Sequence, residues 1–314
     1  MAQQTLQGTG RASESESSRS FEIDSGKLQR DMAVRNAGRV GLWLNPVFTY
    51  FFLWAPIVLL IAFSFNDSRA IATWRGFTLR WYENIFQGVV ANDATFSTGE
   101  MLKAVRISLI VATSATVVST VIGTMAALAL QRTTFAGKKF LDAVLYLPVV
   151  IPEITQGISL LVFFSVVFNF IELTTGVIVQ RGFATVIIAH VAFNISYVVI
   201  VVRARLTNMN PRYEEAARDL GANEWRTFWR VTFPLLFPAI LAGALLAFTL
   251  SLDDYVVTQF TKGAGTNTLT VFVYGLLKMS VTPEINAISA IMLIVSTVLI
   301  AISLALQGRS AANT

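Results

Sequence analysis

An apolar stretch, FATVIIAHVAFNISYVVIVV (183–202), runs directly into a polar one, RARLTNMNPRYEEAARDLGANEWRTFWRVTFP (203–234), after which the chain becomes apolar again. The first stretch contains no Asp, Glu, Lys or Arg. It is long enough to cross the roughly 30 Å hydrocarbon core of a bilayer, because a helix rises about 1.5 Å per residue. The pattern therefore predicts two membrane-spanning helices joined by a structured loop.

Five similar stretches occur elsewhere, and the composition supports a membrane protein. Of the 314 residues, 54% are hydrophobic and only 14% are charged, against roughly 25% charged in soluble domains. The predicted spans lie at about 43–65, 107–130, 143–170, 183–202, 235–260 and 285–306. The chain is therefore predicted to be an all-α membrane protein with six transmembrane helices.

The segments at the two ends of the chain are polar. Residues 1–40 include the low-complexity stretch SESESSRS and are predicted to form a disordered tail, because such a composition buries too little apolar surface to fold. The membrane domain then covers residues 41–308, and residues 309–314 form a C-terminal tail. With both termini in the cytoplasm, 16 of the 24 Lys and Arg residues are cytoplasmic, as the positive-inside rule favours.

Residue types that catalysis usually requires are scarce. The chain has no cysteine and a single histidine, His190, so thiol chemistry and multi-histidine metal sites are excluded. It also lacks the G-x-x-x-x-G-K-[ST] phosphate loop. The basic residues are separated by apolar spans, which argues against nucleic acid and for a lipid bilayer. The sequence predicts no catalytic residue, no metal ligand and no bound cofactor.

Small residues and prolines predict the local geometry of two spans. Ser119, Gly123 and Ala127 follow one another at intervals of four, a spacing that lets two membrane helices approach closely. Pro148 and Pro152 lie within the third predicted span. Because proline removes a backbone donor, we expect a kink at that point.

The 203–234 loop carries signals for two short helices. Pro211 suits the first position of a helix, and Glu214 and Glu215 in its first turn are favoured by the helix dipole. Gly221 suits a helix end. A second short helix is predicted from about residue 223 to 230, ending before Pro234. On these signals alone the loop would be a solvated connector.

The spacing of residues in this loop resembles a known motif. Glu215, Ala216 and Ala217 are followed after three residues by Gly221 and after nine more by VTFP (231–234). This resembles the EAA loop of integral-membrane permeases of binding-protein-dependent ABC importers, although valine and phenylalanine replace the isoleucine and leucine of the family pattern. We therefore call residues 203–234 the coupling loop. The resemblance implies a type I ABC importer permease fold, in which a cytoplasmic coupling helix contacts the ATPase. It assigns that contact here to Glu214, Glu215, Ala216, Ala217 and Gly221.

The resemblance extends over most of the chain after residue 43. The segments DLGANEWRTFWRVTFPLLFPAILAG (219–243), LSLDDYVVTQF (250–260) and VYGLLKMSVTPEINAISAIMLI (273–294) resemble the spermidine/putrescine branch, especially its second permease subunit. This implies a multi-pass protein of the bacterial cytoplasmic membrane. It also implies a homologous second permease, an extracytoplasmic substrate-binding protein, and two ATP-binding subunits that hold ATP and magnesium.

Acidic residues inside apolar stretches are candidates for a substrate pathway, because each costs about 3 kcal/mol to insert and usually faces a cavity or a partner. Polyamines are polycations, which carboxylates can neutralise and aromatic rings can cover. The candidate pathway residues are Glu153, Asp253, Asp254, Tyr255, Asn194 and Tyr197.

Other interpretations stay open at this stage. The acidic residues could form structural ion pairs, with Asp254 pairing with Lys262 or capping a helix break. His190, Asn194 and Tyr197 share one helix face and could make interhelical hydrogen bonds. The chain could also be an ion-coupled secondary transporter of organic cations, or an ABC permease for a different small solute.

Overall fold

A computed structural model describes residues 25–68, 73–87, 98–279 and 283–312, and these are almost entirely helical. That part of the chain contains one isolated β-bridge, between Asn66 and Phe77, and no strand. Its helices, numbered in chain order, are α1 (Ser25–Phe63), α2 (Arg80–Gln87), α3 (Thr98–Arg132), α4 (Lys138–Val150), α5 (Glu153–Thr175), α6 (Phe183–Thr207), α7 (Arg212–Asp219), α8 (Glu224–Thr227), α9 (Phe233–Asp253), α10 (Val256–Thr261), α11 (Leu269–Met279) and α12 (Pro283–Ala312).

Six helical segments of the described residues are long and apolar enough to cross a membrane, as predicted. They are Asn45–Phe63, Gly99–Arg132, Glu153–Thr175, Phe183–Thr207, Glu224–Asp253 and Ile285–Ala305. The chain divides into two compact units, Met1–Leu59 and Leu60–Thr314. The core and the candidate sites described below all belong to the second unit.

The core of the second unit forms where α3, α6 and α9 pack together, with α12 against α9. Its buried side chains include Ala127 from α3, Val198 and Val202 from α6, and Leu236 and Ala247 from α9. Small alanines alternate with branched residues at these contacts, which lets the backbones approach while the valines and leucine fill the space between them.

The predicted stripe of small residues on α3 lies in this core. Ser119 and Ala127 are fully buried, and a Cβ atom added at Gly123 would lie 2.8 Å from the Cβ of Val198 on α6. That distance is too short for two carbon atoms, so only glycine fits there. The packing interpretation of this stripe is confirmed.

The predicted disordered tail is wrong for residues 25–40, because α1 begins at Ser25. The segment SGKLQRDMAVRNAG contains no proline and several strong helix formers. It extends a helix already nucleated by the span, so it avoids the cost of starting one. Residues 1–24 lie outside the described residues. At the other end α12 continues to Ala312, beyond the predicted boundary at 308.

The third predicted span, 143–170, is broken rather than kinked. Helix α4 ends at Val150, Ile151 is extended, and α5 begins at Glu153. Pro152 forces this break, because its ring disfavours a helical conformation in the preceding residue. The side-chain amide of Gln156 donates to the carbonyl oxygens of Pro148 and Ile151. It thereby satisfies backbone groups that the break releases.

The predicted helix stop at Pro234 is also wrong, because the chain stays helical from Glu224 to Asp253. A π turn, Phe228–Thr232, joins α8 to α9, and the Phe233 N–H donates to the carbonyl oxygen of Phe228, five residues back. The wider turn accommodates Pro234, which lacks the N–H that a regular helix would use. The fifth span ends at Asp253 and not near 260; a short separate helix, α10, follows.

Replacing Gly123 with alanine should destabilise the protein by about 1–3 kcal/mol, because the added methyl group overlaps Val198. Gly275, on α11, has no atom within 4 Å of its added Cβ and provides the matched control. Gly275→Ala should leave stability unchanged or raise it slightly. Thermal melting of both variants in detergent checks this, and equal melting temperatures would contradict the packing interpretation.

Candidate functional site

A cavity of about 510 Å³ opens where two helix breaks lie near each other. One break is Ile151–Pro152, between α4 and α5, and the other follows Asp253, at the end of α9. The remaining wall comes from α6 and the start of α10. Five of the six predicted pathway residues line this cavity, namely Glu153, Tyr197, Asp253, Asp254 and Tyr255.

Glu153 and Asp253 have exposed side chains at this cavity. The Ser296 hydroxyl, on α12, donates to Oδ1 of Asp253 at 2.8 Å. Within the described part of the chain, neither carboxylate has a salt-bridge partner. Two carboxylates on the wall of one cavity attract a cation into it.

Asp254 belongs to a different environment from its neighbour, because its side chain is only 6% exposed. Its carboxylate accepts hydrogen bonds from the backbone N–H groups of Val257, at 3.2 Å, and Thr258, at 2.7 Å, and so caps α10. His190 Nε2 lies 3.3 Å from Asp254 Oδ2. Asp254 therefore adjoins the cavity while its carboxylate is held inside the protein.

The proposed pairing of Asp254 with Lys262 does not occur. Lys262 Nζ instead donates to Oδ1 of Asn267 at 2.9 Å. Partial burial lowers the pKa of the Lys262 ammonium from its ordinary value. The capping alternative describes Asp254 correctly.

Asn194 lies away from the cavity, in the contact between α6 and α9. It is fully buried, and its amide donates to the Ser251 hydroxyl at 2.7 Å. This is an interhelical hydrogen bond, the alternative role for Asn194 given in the sequence analysis. Tyr197, one turn further along α6, does line the cavity.

Aromatic rings extend the site beyond Tyr255. The rings of Tyr255 and Tyr274 have centroids 4.2 Å apart, and Lys278 Nζ lies 5.0 Å from the Tyr274 centroid. The Lys278 ammonium group therefore lies over the Tyr274 ring, a cation–π contact of the kind that an amine of a polyamine could make with such a ring.

The coupling loop forms the predicted pair of short helices, α7 and α8. Between them Gly221 adopts a φ of +80°, a left-handed conformation that glycine adopts without strain. The Ala222 N–H donates to the Ala217 carbonyl oxygen at 3.0 Å, and Asn223 Oδ1 accepts from the Arg226 N–H at 2.9 Å. These bonds end α7 and begin α8, so the loop has a defined shape.

The two glutamates of α7 point in different directions. Glu215 and Ala216 are exposed and Ala217 is half-buried, while Leu220 is 89% exposed beside Gly221. The Glu214 side chain is only 12% exposed and forms an ion pair with Arg132. The outer surface of the loop is therefore available to a partner without Glu214.

Sequence reasoning missed Arg132, Thr232 and Gln156. Arg132 is 82 residues from Glu214, so no local pattern could indicate their pairing. A weak signal existed for Gln156, because an amide four residues after Pro152 can cap a broken helix.

Asp254→Asn should lower stability by about 2 kcal/mol, because it removes the charged acceptor beside buried His190. Asn can still cap α10, so the fold should persist. Asp253→Asn changes the adjacent, exposed carboxylate and should leave the melting temperature nearly unchanged. Heating in detergent followed by size-exclusion chromatography measures both variants. A larger fall in melting temperature for Asp253→Asn than for Asp254→Asn would contradict the structural role assigned to Asp254.

Known proteins resemble this chain in sequence and in fold. Residues 119–313 match the family described as the binding-protein-dependent transport system inner membrane component. The putrescine transport system permease protein PotI of Escherichia coli K12 is 38% identical over 243 residues, covering 77% of this chain and 82% of that protein. The spermidine/putrescine transport system permease protein PotC of the same organism is 36% identical over 266 residues, covering 84% and 93%.

Two solved structures confirm the predicted fold class. One is a bacterial ABC transporter for import of the acidic polysaccharide alginate, which is 17% identical, has a TM-score of 0.58 and covers 85% of this chain and 95% of its own. The other is a bacterial alginate ABC transporter in complex with a periplasmic protein bound to an alginate pentasaccharide, which is 18% identical, has a TM-score of 0.59 and covers 87% and 94%. The chain belongs to the binding-protein-dependent transport system inner membrane components, the permease subunits of ABC importers.

Proposed function

We propose that this permease subunit imports polyamines and that its cavity forms part of their pathway. The observation that carries the proposal is the cavity with two exposed carboxylates, Glu153 and Asp253, which form no ion pair with any residue that the structure describes. Its volume lies within the usual range for small-molecule sites, about 300–1,000 Å³. The relatives named for putrescine and for spermidine/putrescine transport support the same class of solute.

The chemistry of the cavity suits an extended polycation. Ammonium groups would face Glu153 and Asp253, and the methylene segments would lie against Tyr197 and Tyr255. Both helix breaks present polar backbone beside apolar side chains, which matches the alternating character of a polyamine. Exposed carboxylates bind weakly enough to release a solute that must pass through.

We further propose that the outer surface of the coupling loop docks onto a separate ATPase. The exposed Glu215, Ala216 and Leu220 support this, because small residues permit close approach and a carboxylate can pair with a basic residue of the partner. This chain has no phosphate-binding loop of its own. ATP and magnesium would be held by two ATP-binding subunits, and this subunit would be non-catalytic.

The remaining assembly follows from the same family. A homologous permease would supply the other half of the pathway, and an extracytoplasmic binding protein would deliver the solute. The arrangement of basic residues supports cytoplasmic termini and a cytoplasmic coupling loop.

Glu153→Gln should reduce uptake of spermidine or putrescine by about tenfold, because it removes one of two charges that attract the cation. The measurement is uptake by proteoliposomes that contain the complete importer, and the parent complex supplied with ATP is the reference. Glu172→Gln, on the same helix α5 but outside the cavity, is the matched control and should transport normally. Failure of the parent to transport either polyamine would reject the substrate class, while equal uptake by both variants would reject the pathway position of Glu153.

Glu215→Arg should abolish uptake and weaken retention of the ATPase, because it reverses an exposed charge on the proposed docking surface. Co-purification of the ATPase with tagged permease measures the association. Glu83→Arg makes the same charge reversal on α2, outside the coupling loop, and should leave the ATPase bound. Full uptake by the 215 variant would refute the docking role.

A further inference from the structure

Helix α7 buries one of its residues, an acidic one, against the rest of the chain. All eight residues of α7 are described, and among them only Glu214 is buried. Its neighbours Tyr213 and Glu215 are exposed on either side. Burial of a carboxylate in an otherwise exposed helix is costly unless its charge and lone pairs are satisfied.

Glu214 is satisfied by residues from two other elements. The Arg132 guanidinium, in the last turn of α3, forms an ion pair with Glu214 Oε1. The Thr232 hydroxyl, in the π turn that precedes α9, donates to the same oxygen at 2.6 Å. Arg132 Nη2 also donates to the Thr232 hydroxyl oxygen at 3.3 Å. We call Arg132, Glu214 and Thr232 the loop triad.

The loop triad closes on itself, which distinguishes it from a solvated surface pair. Thr232 is fully buried, and its hydroxyl both accepts and donates within the triad. Arg132 also lies where a cation is favoured by the dipole of α3. Removing Arg132 would leave the largely buried Glu214 carboxylate without its counter-ion, so the triad links α7 to α3 and to the start of α9.

The triad also lies at one end of a direct route to the cavity. From Thr232 the chain enters α9, whose 21 residues run to Asp253 at the cavity. A helix of that length spans about 30 Å. Shifts of whole helices are among the movements by which proteins switch state. A displacement of α7 would in that case reach Thr232 through Glu214 and the cavity through α9.

We propose that Glu214 is a positioning residue that transmits movement of the coupling helix to α3 and α9, and that it does not contact the ATPase. The proposal rests on the proposed function, because it requires a partner that pushes on α7. It divides the roles of two adjacent glutamates: Glu215 binds the partner, and Glu214 carries the resulting force into the membrane domain. Glu214 could not reach a partner without leaving Arg132 unpaired.

The test compares Glu214→Gln with Glu215→Gln in the complete importer, reconstituted with its partner permease, ATPase and binding protein. Glutamine at 214 has nearly the same shape and can still accept from Thr232, so the chain should insert and fold. We expect the 214 variant to keep its ATPase bound while solute uptake per ATP hydrolysed falls about fivefold or more. The 215 variant should lose ATPase on dilution, with uptake per ATP unchanged in complexes that remain.

A second variant guards against a simple folding defect. Thr232→Val keeps the shape of the side chain and the Arg132–Glu214 pair but removes the bridging hydroxyl. It should also lower uptake per ATP, by less than the 214 variant, without lowering the melting temperature in proportion. The proposal would be overturned if Glu214→Gln and Thr232→Val both showed the same uptake per ATP hydrolysed as the parent. Loss of the ATPase from the Glu214→Gln complex would also overturn it. If both glutamate variants kept the ATPase bound and uptake did not depend on ATP, the proposed function itself would be overturned.

Discussion

A helix that breaks within a membrane domain must find new partners for the backbone groups it releases, because lipid supplies none. This chain meets that requirement twice, and the two solutions create its cavity. At the first break the Gln156 amide binds the carbonyl oxygens of Pro148 and Ile151. At the second, the Asp254 carboxylate accepts hydrogen bonds from the N–H groups of Val257 and Thr258 in the first turn of α10, and the Thr270 hydroxyl donates to the Asp254 carbonyl oxygen.

The same pattern of neighbouring residues with divided duties occurs at both ends of α9. At the cavity Asp253 is exposed, whereas Asp254 is held by His190 and the N-terminus of α10. At the coupling loop Glu215 is exposed, whereas Glu214 is held by Arg132. In each pair one carboxylate is held by partners inside the protein, while the side chain of its neighbour is exposed. Glu214 and Glu215 are adjacent on a helix and so differ by about 100° in direction. Asp253 and Asp254 differ in surroundings because α9 ends between them and the backbone is extended at Asp254.

The sequence predicted the features that depend on local pattern and left out those that depend on tertiary contact. Apolar length identified the six spans, and the spacing around Gly221 identified the two helices of the coupling loop. Glu153 and Asp253 could be predicted to line a cavity, because the free-energy cost of placing a carboxylate in an apolar span can be read from the local sequence. The inward direction of Asp254 and Glu214 could not be read, since their partners lie 64 and 82 residues away. Proline was also misread at Pro234, where a π turn relieves the clash that would have ended the helix.

That π turn has a consequence for how the subunit tolerates change. A π turn holds about one residue more than an α turn of the same length, and each residue turns a helix by about 100°. The π turn therefore sets the rotation of α9 about its own axis relative to the coupling loop that precedes it. Deleting a single residue between Phe228 and Thr232 would shorten the fifth membrane-spanning segment near its start and would rotate the Asp253 end of α9 about the helix axis relative to α7 and α8. The number of residues in this short segment therefore sets which side of α9 faces the cavity, in addition to the contacts that individual side chains such as Thr232 make.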